Sequence, residues 1–220
     1  MVKVVSITPI RSKCRVELDD GSTWWLYGKD LRQAGIREGA EIRPEELKQF
    51  VRQKQLPRGI NLAIAMLARR SCSREEIRRK LTVNHYDAEV IEQILEKLEK
   101  EGFLNDRDFA EAWIRHRISG RYGARRIGQE LRMKGVSEED SSAAMKSLDE
   151  EEMMRQAVSL AAGRLRRVKP DEDPRKAREK ILQALIRRGF DWNTAREAYD
   201  QAVKAEAGEE EEEEEEEKGN

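Results

Sequence analysis

The sequence predicts a mainly α-helical protein with three tandem three-helix repeats in an elongated curved body, preceded by a small β-containing N-terminal module. The composition favours this fold class, because only 38% of the 220 residues are hydrophobic while 40% are charged. Such a chain suits solvated helices better than one thick globule. Two further observations agree: apolar residues recur at helical spacing from Pro44 onward, and one pattern of apolar and capping residues occurs three times.

Residues 1–43 form the predicted β-containing module. Its first β-favouring run is closed by Pro9, which lacks the N–H group that a strand donates. Asp20-Gly21 predicts a hairpin, since such a pair readily adopts positive φ angles. The return strand contains Trp24 and Trp25. We expect one of these rings to pack inward and the other to lie at a partly exposed edge, and a base-stacking role is the alternative.

From Pro44 onward, the sequence predicts helices alone. Pro44 suits a first helical position, and the acidic residues after it suit the positive end of a helix. A link helix at residues 44–59 leads into nine helices, which we group into three repeats followed by a disordered acidic tail. The predicted bounds of the repeats and the tail are 60–104, 105–149, 150–205 and 206–220.

The three repeats share one sequence frame. In each repeat, two apolar residues four positions apart are followed, six positions later, by a short polar residue that can cap a helix. The three sets are Ile77, Leu81 and Asp87; Ile127, Leu131 and Ser137; and Ile181, Leu185 and Asp191. Two positions before the cap stand the helix stops Gly135 and Gly189, and His85 occupies that place in the first copy.

Charge is unevenly distributed along the chain. Residues 206–220 contain ten Glu and one Lys, so the net charge of −1 divides into −9 for this tail and +8 for residues 1–205. Consecutive glutamates repel one another and cannot bury surface, which favours disorder and a solubilising role. A sharper hypothesis is that the tail imitates a nucleic acid and competes for a basic side of the body.

Basic residues concentrate on the first two helices of each predicted repeat, while the third helix is acidic. The densest stretch, residues 115–134, has seven basic residues and one acidic residue, Glu130. The candidate contact residues are Arg115, Arg117, Arg121, Arg125, Arg126, Arg132 and Lys134 in the second repeat, and Arg70, Arg74, Arg78 and Arg79 in the first. One interpretation is a solvated face with many ion pairs. The recurrence in every repeat favours a surface that binds a negatively charged partner.

The sequence argues against an enzyme. Its two histidines, His85 and His116, lack the neighbours of a catalytic site, and Cys14 and Cys72 lack the spacing of a metal site. No glycine-rich phosphate loop occurs. We therefore expect no catalytic residue, metal or cofactor. Because neither a signal-peptide pattern nor an apolar run of membrane length is present, we expect a cytoplasmic protein without membrane contact. We also expect the protein to be a monomer.

Several segments resemble the RecX family, the regulators of the RecA recombinase. GFLNDRDFAEAWIRHR at residues 102–117 resembles the family's Gly-Leu-Leu-Asp-Asp…Phe-Ala-Glu-Ala-Trp…Arg segment, and GARRIGQELRMKGV at residues 123–136 resembles its Gly-Pro…Ile…Glu-Leu…Lys-Gly-Val segment. SREEIRRKL at residues 73–81 also matches. The chain departs from the family pattern at Asn105 and Ala124, where Asp and Pro are common, and in its glutamate run.

This resemblance implies a non-enzymatic protein that binds RecA along the groove of its filament on single-stranded DNA. It also implies restraint of filament growth, ATP hydrolysis, strand exchange and co-protease activity. The residues leave open an autonomous basic DNA-binding protein, since a three-helix unit ending in a basic helix can imitate a helix-turn-helix. Such binding would persist without RecA and weaken steeply with salt.

Deleting residues 206–220 should tighten binding to DNA or RecA at low salt, because the tail would no longer compete for the basic side of the body. Titrations of the full-length and shortened chains at low and high salt measure this effect. Equal affinities at low salt would leave the tail with its solubilising role alone.

Overall fold

The computed structural model describes the backbone of residues 1–218 and the side chains of residues 1–207. Over this range the chain forms four β-strands and ten helices, and it divides into two compact units, Met1–Asn105 and Asp106–Asn220. The first unit holds the N-terminal module and the first repeat, and the second unit holds the other two repeats. The prediction of a mainly α protein with three helical repeats and a small β-containing module is confirmed.

The N-terminal module is a four-stranded antiparallel sheet with one short helix. Its strands are β1 (Val2–Ile10), β2 (Lys13–Leu18), β3 (Thr23–Leu26) and β4 (Glu41–Ile42), in the order β3-β2-β1-β4, and its helix is α1 (Gly28–Ala34). The predicted hairpin joins β2 to β3. Gly21 adopts φ +84° there, and its N–H donates to the Leu18 carbonyl at 3.1 Å.

Pro9 lies inside β1, so the prediction that it closes the strand is wrong. The strand continues to Ile10, and Pro9 lies opposite Cys14 of β2. On the other side, β4 pairs with β1 only at Val2 and Lys3, so no described strand borders that edge at Pro9. A proline is tolerated at such an edge because its missing N–H has no strand partner to bond.

One continuous helix, α2 (Pro44–Leu67), connects the module to the first repeat. The prediction of a separate link helix that ends at residue 59 is therefore wrong. The first half of α2 contributes Leu47 and Val51 to the core of the module, and the second half contributes Ala63 to the core of the repeat. Because both halves are packed, tertiary contacts sustain the helix across the interior Pro57.

Buried polar contacts fix α2 between the module and the repeat. Gln55, which is 5% exposed, donates from Nε2 to the Trp25 carbonyl at 2.9 Å and accepts from the Asp87 N–H at 2.7 Å. Arg58 forms a two-pronged ion pair with Asp30 of α1, and this hydrogen bonding lowers the pKa of the Asp30 carboxyl. The module and the first repeat therefore fold as one body.

The remaining helices complete the three repeats. They are α3 (Arg74–Val83) and α4 (Ala88–Lys100) in the first repeat; α5 (Asp106–Ser119), α6 (Ala124–Met133) and α7 (Glu138–Lys146) in the second; and α8 (Glu150–Leu165), α9 (Pro174–Arg187) and α10 (Trp192–Lys218) in the third. From Pro44 to Lys218 the structure describes nine helices, one fewer than predicted, because α2 is continuous. The six apolar residues of the shared frame are at most 3% exposed.

The second helix of every repeat ends in the same turn. His85, Gly135 and Gly189 adopt φ +57°, +75° and +95°, and the N–H of the following residue donates to the carbonyl of Leu81, Leu131 or Leu185. These bonds form the Schellman motif, in which a left-handed residue closes a helix. The predicted caps follow, since Asp87, Ser137 and Asp191 each accept from a backbone N–H at the start of the next helix.

Within the second unit, the second and third repeats meet backbone to backbone. The Gly123 N–H donates to the Arg188 carbonyl at 3.0 Å, and the Arg125 N–H donates to the Gly189 carbonyl at 3.1 Å. Gly123, the N-cap of α6, has no side chain to accept a bond, so the third repeat provides acceptors at the start of this helix. A Cβ at Gly123 would lie 2.3 Å from the Phe190 nitrogen, and one at Gly189 would lie 2.4 Å from the Arg126 Cβ.

The acidic tail differs from its prediction. The structure continues α10 as a helix to Lys218, where the sequence predicts disorder for residues 206–220. Ala195, Ala198 and Ala202 anchor the helix in the core of the third repeat. Glutamate has a high helix propensity, so an anchored helix can extend into a glutamate run that would not nucleate one alone. Residues 219–220 lie outside the described residues.

Replacing Gly123 with alanine should destabilise the second unit by about 1–3 kcal/mol, because the new methyl group meets backbone atoms that cannot rotate away. Urea unfolding followed by helical circular dichroism measures the effect. Gly128→Ala is the matched control, since a Cβ added at Gly128, inside α6, would meet no atom within 4 Å. That substitution should stabilise the helix by about 0.5–1 kcal/mol. A stabilising Gly123→Ala would contradict the close contact.

Candidate functional site

The four arginine candidates of the first repeat are all engaged by carboxylates of that repeat. Arg74 contacts Glu92 at 3.0 Å and Glu99 at 2.7 Å, which connects α3 to α4. The other three pairs are Arg70 with Glu76 at 2.9 Å, Arg78 with Glu92 at 3.0 Å, and Arg79 with Glu75 at 2.9 Å. The predicted basic side and acidic side are thus not separate here, because the basic residues of α3 pair with acidic residues of α3 and α4.

In the second repeat, Glu130 is the carboxylate around which several candidates gather. It accepts from Arg117 of α5 and, at 3.2 Å, from the Arg126 Nε. The Trp113 Nε1 also donates to Glu130, at 3.2 Å. The Glu130 side chain is 12% exposed and that of Arg117 is 18% exposed. This network joins α5 to α6, so it has a structural role besides placing positive charge.

The charge on Glu130 is maintained by its partners. Burial acts to raise the pKa of this carboxyl, but the hydrogen bonds from Arg117 and Arg126 outweigh burial and lower the pKa below its ordinary value. Because the folded-state pKa is depressed, the ionised pair stabilises the fold above the unfolded-state pKa of about 4.3. This stabilisation is lost as the pH falls through the folded-state pKa.

Three guanidinium groups surround the ring of Tyr122, in the turn between α5 and α6. The guanidinium carbons of Arg117, Arg126 and Arg188 lie 3.7, 4.8 and 4.6 Å from the ring centroid. Arg188 also donates to the Gly120 carbonyl at 3.1 Å. Cation–π contacts of this kind bring like charges together around one aromatic ring. We call these four residues the Tyr122 cluster.

Of the other second-repeat candidates, Arg115, Arg121 and Arg125 have exposed side chains that form no ion pair with any described residue. Arg121 adopts φ +61° in the turn after α5. Two more candidates have partners: Arg132 lies 4.0 Å from Glu138, and the Lys134 Nζ lies 4.0 Å from the centroid of the Trp113 ring. The seven candidates of the second repeat therefore fall into two groups. Four have a partner within the repeat (Arg117, Arg126, Arg132 and Lys134), and three are exposed without an ion pair to a described residue (Arg115, Arg121 and Arg125).

The structure adds to the site three residues that are not among the candidates predicted from the sequence. Tyr122 is the centre of the cluster, and Arg187 and Arg188 reach α6 because the turn at Gly189 packs against its first residues. In the sequence, Arg187 and Arg188 are only part of the basic character of the third repeat. The equivalence of Gly189 and Gly135 indicates their place within the repeat, but nothing in the sequence shows that this turn contacts α6.

The remaining candidate residues for chemistry have structural explanations. Trp24 packs against the core of the module, and Trp25 stacks on His85 with ring centroids 3.7 Å apart. That stacking occupies one face of Trp25, which disfavours its use as a base-stacking platform.

Among the described residues, no group of three or more His, Cys, Asp or Glu is placed to hold a metal ion. No described helix has the length and apolar character needed to span a bilayer.

Glu130→Gln should destabilise the second repeat by about 1–3 kcal/mol at neutral pH, because the substitution leaves the half-buried Arg117 without its counter-charge. Chemical unfolding at neutral pH and near pH 3 measures this difference. It should shrink at the lower pH, where Glu130 of the unsubstituted protein becomes protonated.

Glu138→Gln provides the comparison for this substitution. Glu138 is 82% exposed and lies 4.0 Å from Arg132, so removing its charge should change stability by less than about 0.5 kcal/mol. Equal effects of the two substitutions would show that the Glu130 network adds nothing beyond surface electrostatics.

Comparison with known proteins identifies the family. Models of RecX domains match three segments: the first three-helix domain at residues 60–98, the second at 105–145 and the third at 150–199. Regulatory protein RecX of Streptococcus sanguinis (strain SK36) is 30% identical over 200 residues, covering 89% of this chain and 76% of the relative. That of Prosthecochloris aestuarii is 35% identical over 150 residues, covering 66% of this chain and 94% of the relative.

Two solved structures share the fold. The crystal structure of a regulatory protein RecX has a TM-score of 0.63 at 23% identity, over 91% of this chain and 100% of that one. RecX from Lactobacillus salivarius has a TM-score of 0.63 at 22% identity, over 69% of this chain and 98% of that one. Together with the matched domains and the similar relatives, these likenesses lead to one conclusion: the chain belongs to the RecX family of regulatory proteins.

Proposed function

We propose that this protein is a modulator, chiefly an inhibitor, of the RecA recombinase. In this proposal it binds along the groove of the RecA filament on single-stranded DNA and restrains filament growth, ATP hydrolysis, strand exchange and co-protease activity. Membership of the RecX family is the observation that supports this function most directly. The protein would act by binding and not by catalysis, in the cytoplasm and as a monomer.

The exposed arginines of the second repeat are the contact residues that we favour. Arg115, Arg121 and Arg125 have no ion pair with any described residue, so an acidic partner need not displace an existing carboxylate. By contrast, Arg70, Arg74, Arg78 and Arg79 would first have to leave their own partners. Arginine suits this role because its planar guanidinium can hold a carboxylate or a phosphate with two parallel hydrogen bonds.

The function predicts that substoichiometric amounts of the protein lower the ATPase rate of RecA on single-stranded DNA. Few molecules would suffice if each one blocks the growth of a filament. A steady-state ATPase assay with a series of protein concentrations measures the effect. Unchanged hydrolysis and unchanged filament length at saturating protein would contradict the proposal. Equally tight DNA binding in the absence of RecA would favour the autonomous DNA-binding alternative.

The contact residues are tested in the same assay by replacing Arg115, Arg121 and Arg125 together with alanine. We expect about three- to tenfold weaker inhibition, since three charge contacts of about 0.2–0.5 kcal/mol each are lost. Arg126 is left in place because it bonds Glu130 and contacts Tyr122, so its loss would also affect packing.

A second triple substitution, at Arg37, Arg52 and Arg69, serves as the charge-matched control. These three side chains are exposed and belong to the first unit, outside the proposed contact surface. This control should keep full inhibition. An equal loss in both variants would indicate that net charge matters and that the second-repeat arginines have no special role.

A further inference from the structure

A cleft with a volume of about 400 Å³ lies between α6 and the end of α9, within the second unit. Its basic lining comes from Arg125, Arg126 and Arg187, and its apolar lining comes from Met133 and Ile186. The contact of Gly189 with the start of α6 forms one end of it. The cleft is therefore a consequence of how the second and third repeats pack.

The charges in this cleft are not balanced. Arg125 and Arg187 are exposed and have no ion pair with a described residue. Glu130 is the acidic residue of the lining, and its carboxylate is already bonded to Arg126 and to Arg117. The guanidinium groups of Arg125, from the second repeat, and Arg187, from the third repeat, thus remain available to a ligand in the cleft. This arrangement is complementary to a ligand with two carboxylates.

The apolar residues distinguish the cleft from a simple anion site. Met133 is 66% exposed although it is a large hydrophobic side chain, and Ile186 is half-buried beside the same cavity. Protein interfaces are enriched in Arg and Met, and methionine adapts its shape to varied partners. The lining therefore suits a segment that presents an apolar side chain between its acidic groups.

The groups near the cleft that could bind a nucleic acid, an aromatic ring and the N–H groups at the start of α6, are already engaged by other residues. The Tyr122 ring is surrounded by three guanidinium groups, and no aromatic residue is among those that line the cleft, so the lining offers no aromatic ring on which a base could stack. The N–H groups of Gly123 and Arg125 at the start of α6 are bonded to carbonyls of the third repeat. They are consequently not free to cradle a phosphate, as an open helix N-terminus would.

We propose that this cleft is the docking site for an acidic segment of a partner protein. The segment places one apolar side chain between Met133 and Ile186, and its carboxylates pair with Arg125 and Arg187. The inference rests on the proposed function for the source of the segment, since the regulated filament protein would provide it. The chemistry of the site is nevertheless testable without RecA.

The test uses the full-length protein and three fluorescent probes. These are a short glutamate-rich peptide with a central leucine, the same peptide with serine in place of leucine, and a single-stranded oligonucleotide of equal charge. Anisotropy titrations measure their affinities. The leucine peptide should bind more tightly than the serine peptide, because only it buries apolar surface in the cleft.

Two substitutions in the cleft, each with a matched control, locate the binding. Met133→Ser and Arg187→Ala should each weaken binding of the leucine peptide by about three- to tenfold. Val83→Ser is the control for the first, since Val83 holds the equivalent position in the first repeat and is 74% exposed. Arg175→Ala is the control for the second, since Arg175 is also an exposed residue of α9. Both controls should bind as the unsubstituted protein does.

Several results would overturn the assignment. Peptide binding that is absent, or insensitive to both cleft substitutions, would show that no peptide site exists there. Preferential loss of oligonucleotide binding in these variants would make the cleft a nucleic-acid site. Peptide binding that appears only after residues 206–220 are removed would assign the cleft to the chain's own tail. Because RecA is absent from these titrations, a failed RecA assay leaves their outcome unaffected.

Discussion

The helical part of the protein depends on the left-handed turn that ends the second helix of each repeat. This turn reverses the chain within a few residues, inserts Tyr86, Val136 or Phe190 against the core, and delivers a capping residue to the next helix. His85 adopts the turn conformation although it is not glycine, which costs on the order of 1 kcal/mol. Its ring stacks on Trp25, a contact that glycine could not make. In the first repeat, the turn therefore also contacts the N-terminal module, through the stacking of His85 on Trp25.

Two repeats with the same frame use their arginines differently. In the first repeat the basic residues of α3 meet carboxylates of α3 and α4, and the result is a set of ion pairs on the surface of one three-helix domain. In the second repeat a single carboxylate, Glu130, holds two arginines, and others stay exposed. Sequence similarity between repeats therefore does not imply similar roles, because a binding surface depends on how many acidic residues lie within reach of each arginine.

The sequence was sufficient to predict what is encoded locally. The core pairs such as Ile127 and Leu131, the capping residues and the turn positions all depend on spacing within one repeat, and the structure has them as predicted. What could not be predicted depends on contacts between distant segments. The pairing of Arg74 with Glu99, the encirclement of Tyr122 by arginines and the contact of Gly123 with Gly189 each require knowledge of how helices pack. The sequence does not reveal the continuity of α2 for a similar reason, since packing on both halves of the helix sustains it.

The contact between the second and third repeats also bears on the order in which the chain acquires its structure during synthesis. Gly120 and Arg188 are 68 residues apart, and the acceptors for the Gly123 and Arg125 N–H groups, Arg188 and Gly189, lie 65 and 64 residues downstream of their donors. Before the third repeat has been made, the first turn of α6 therefore lacks these partners, although Ile127 and Leu131 can already pack in the core of their own repeat. The start of that helix becomes complete once α9 has been made and its final turn has docked. The last hydrogen bonds of the second repeat thus depend on the presence of the third repeat.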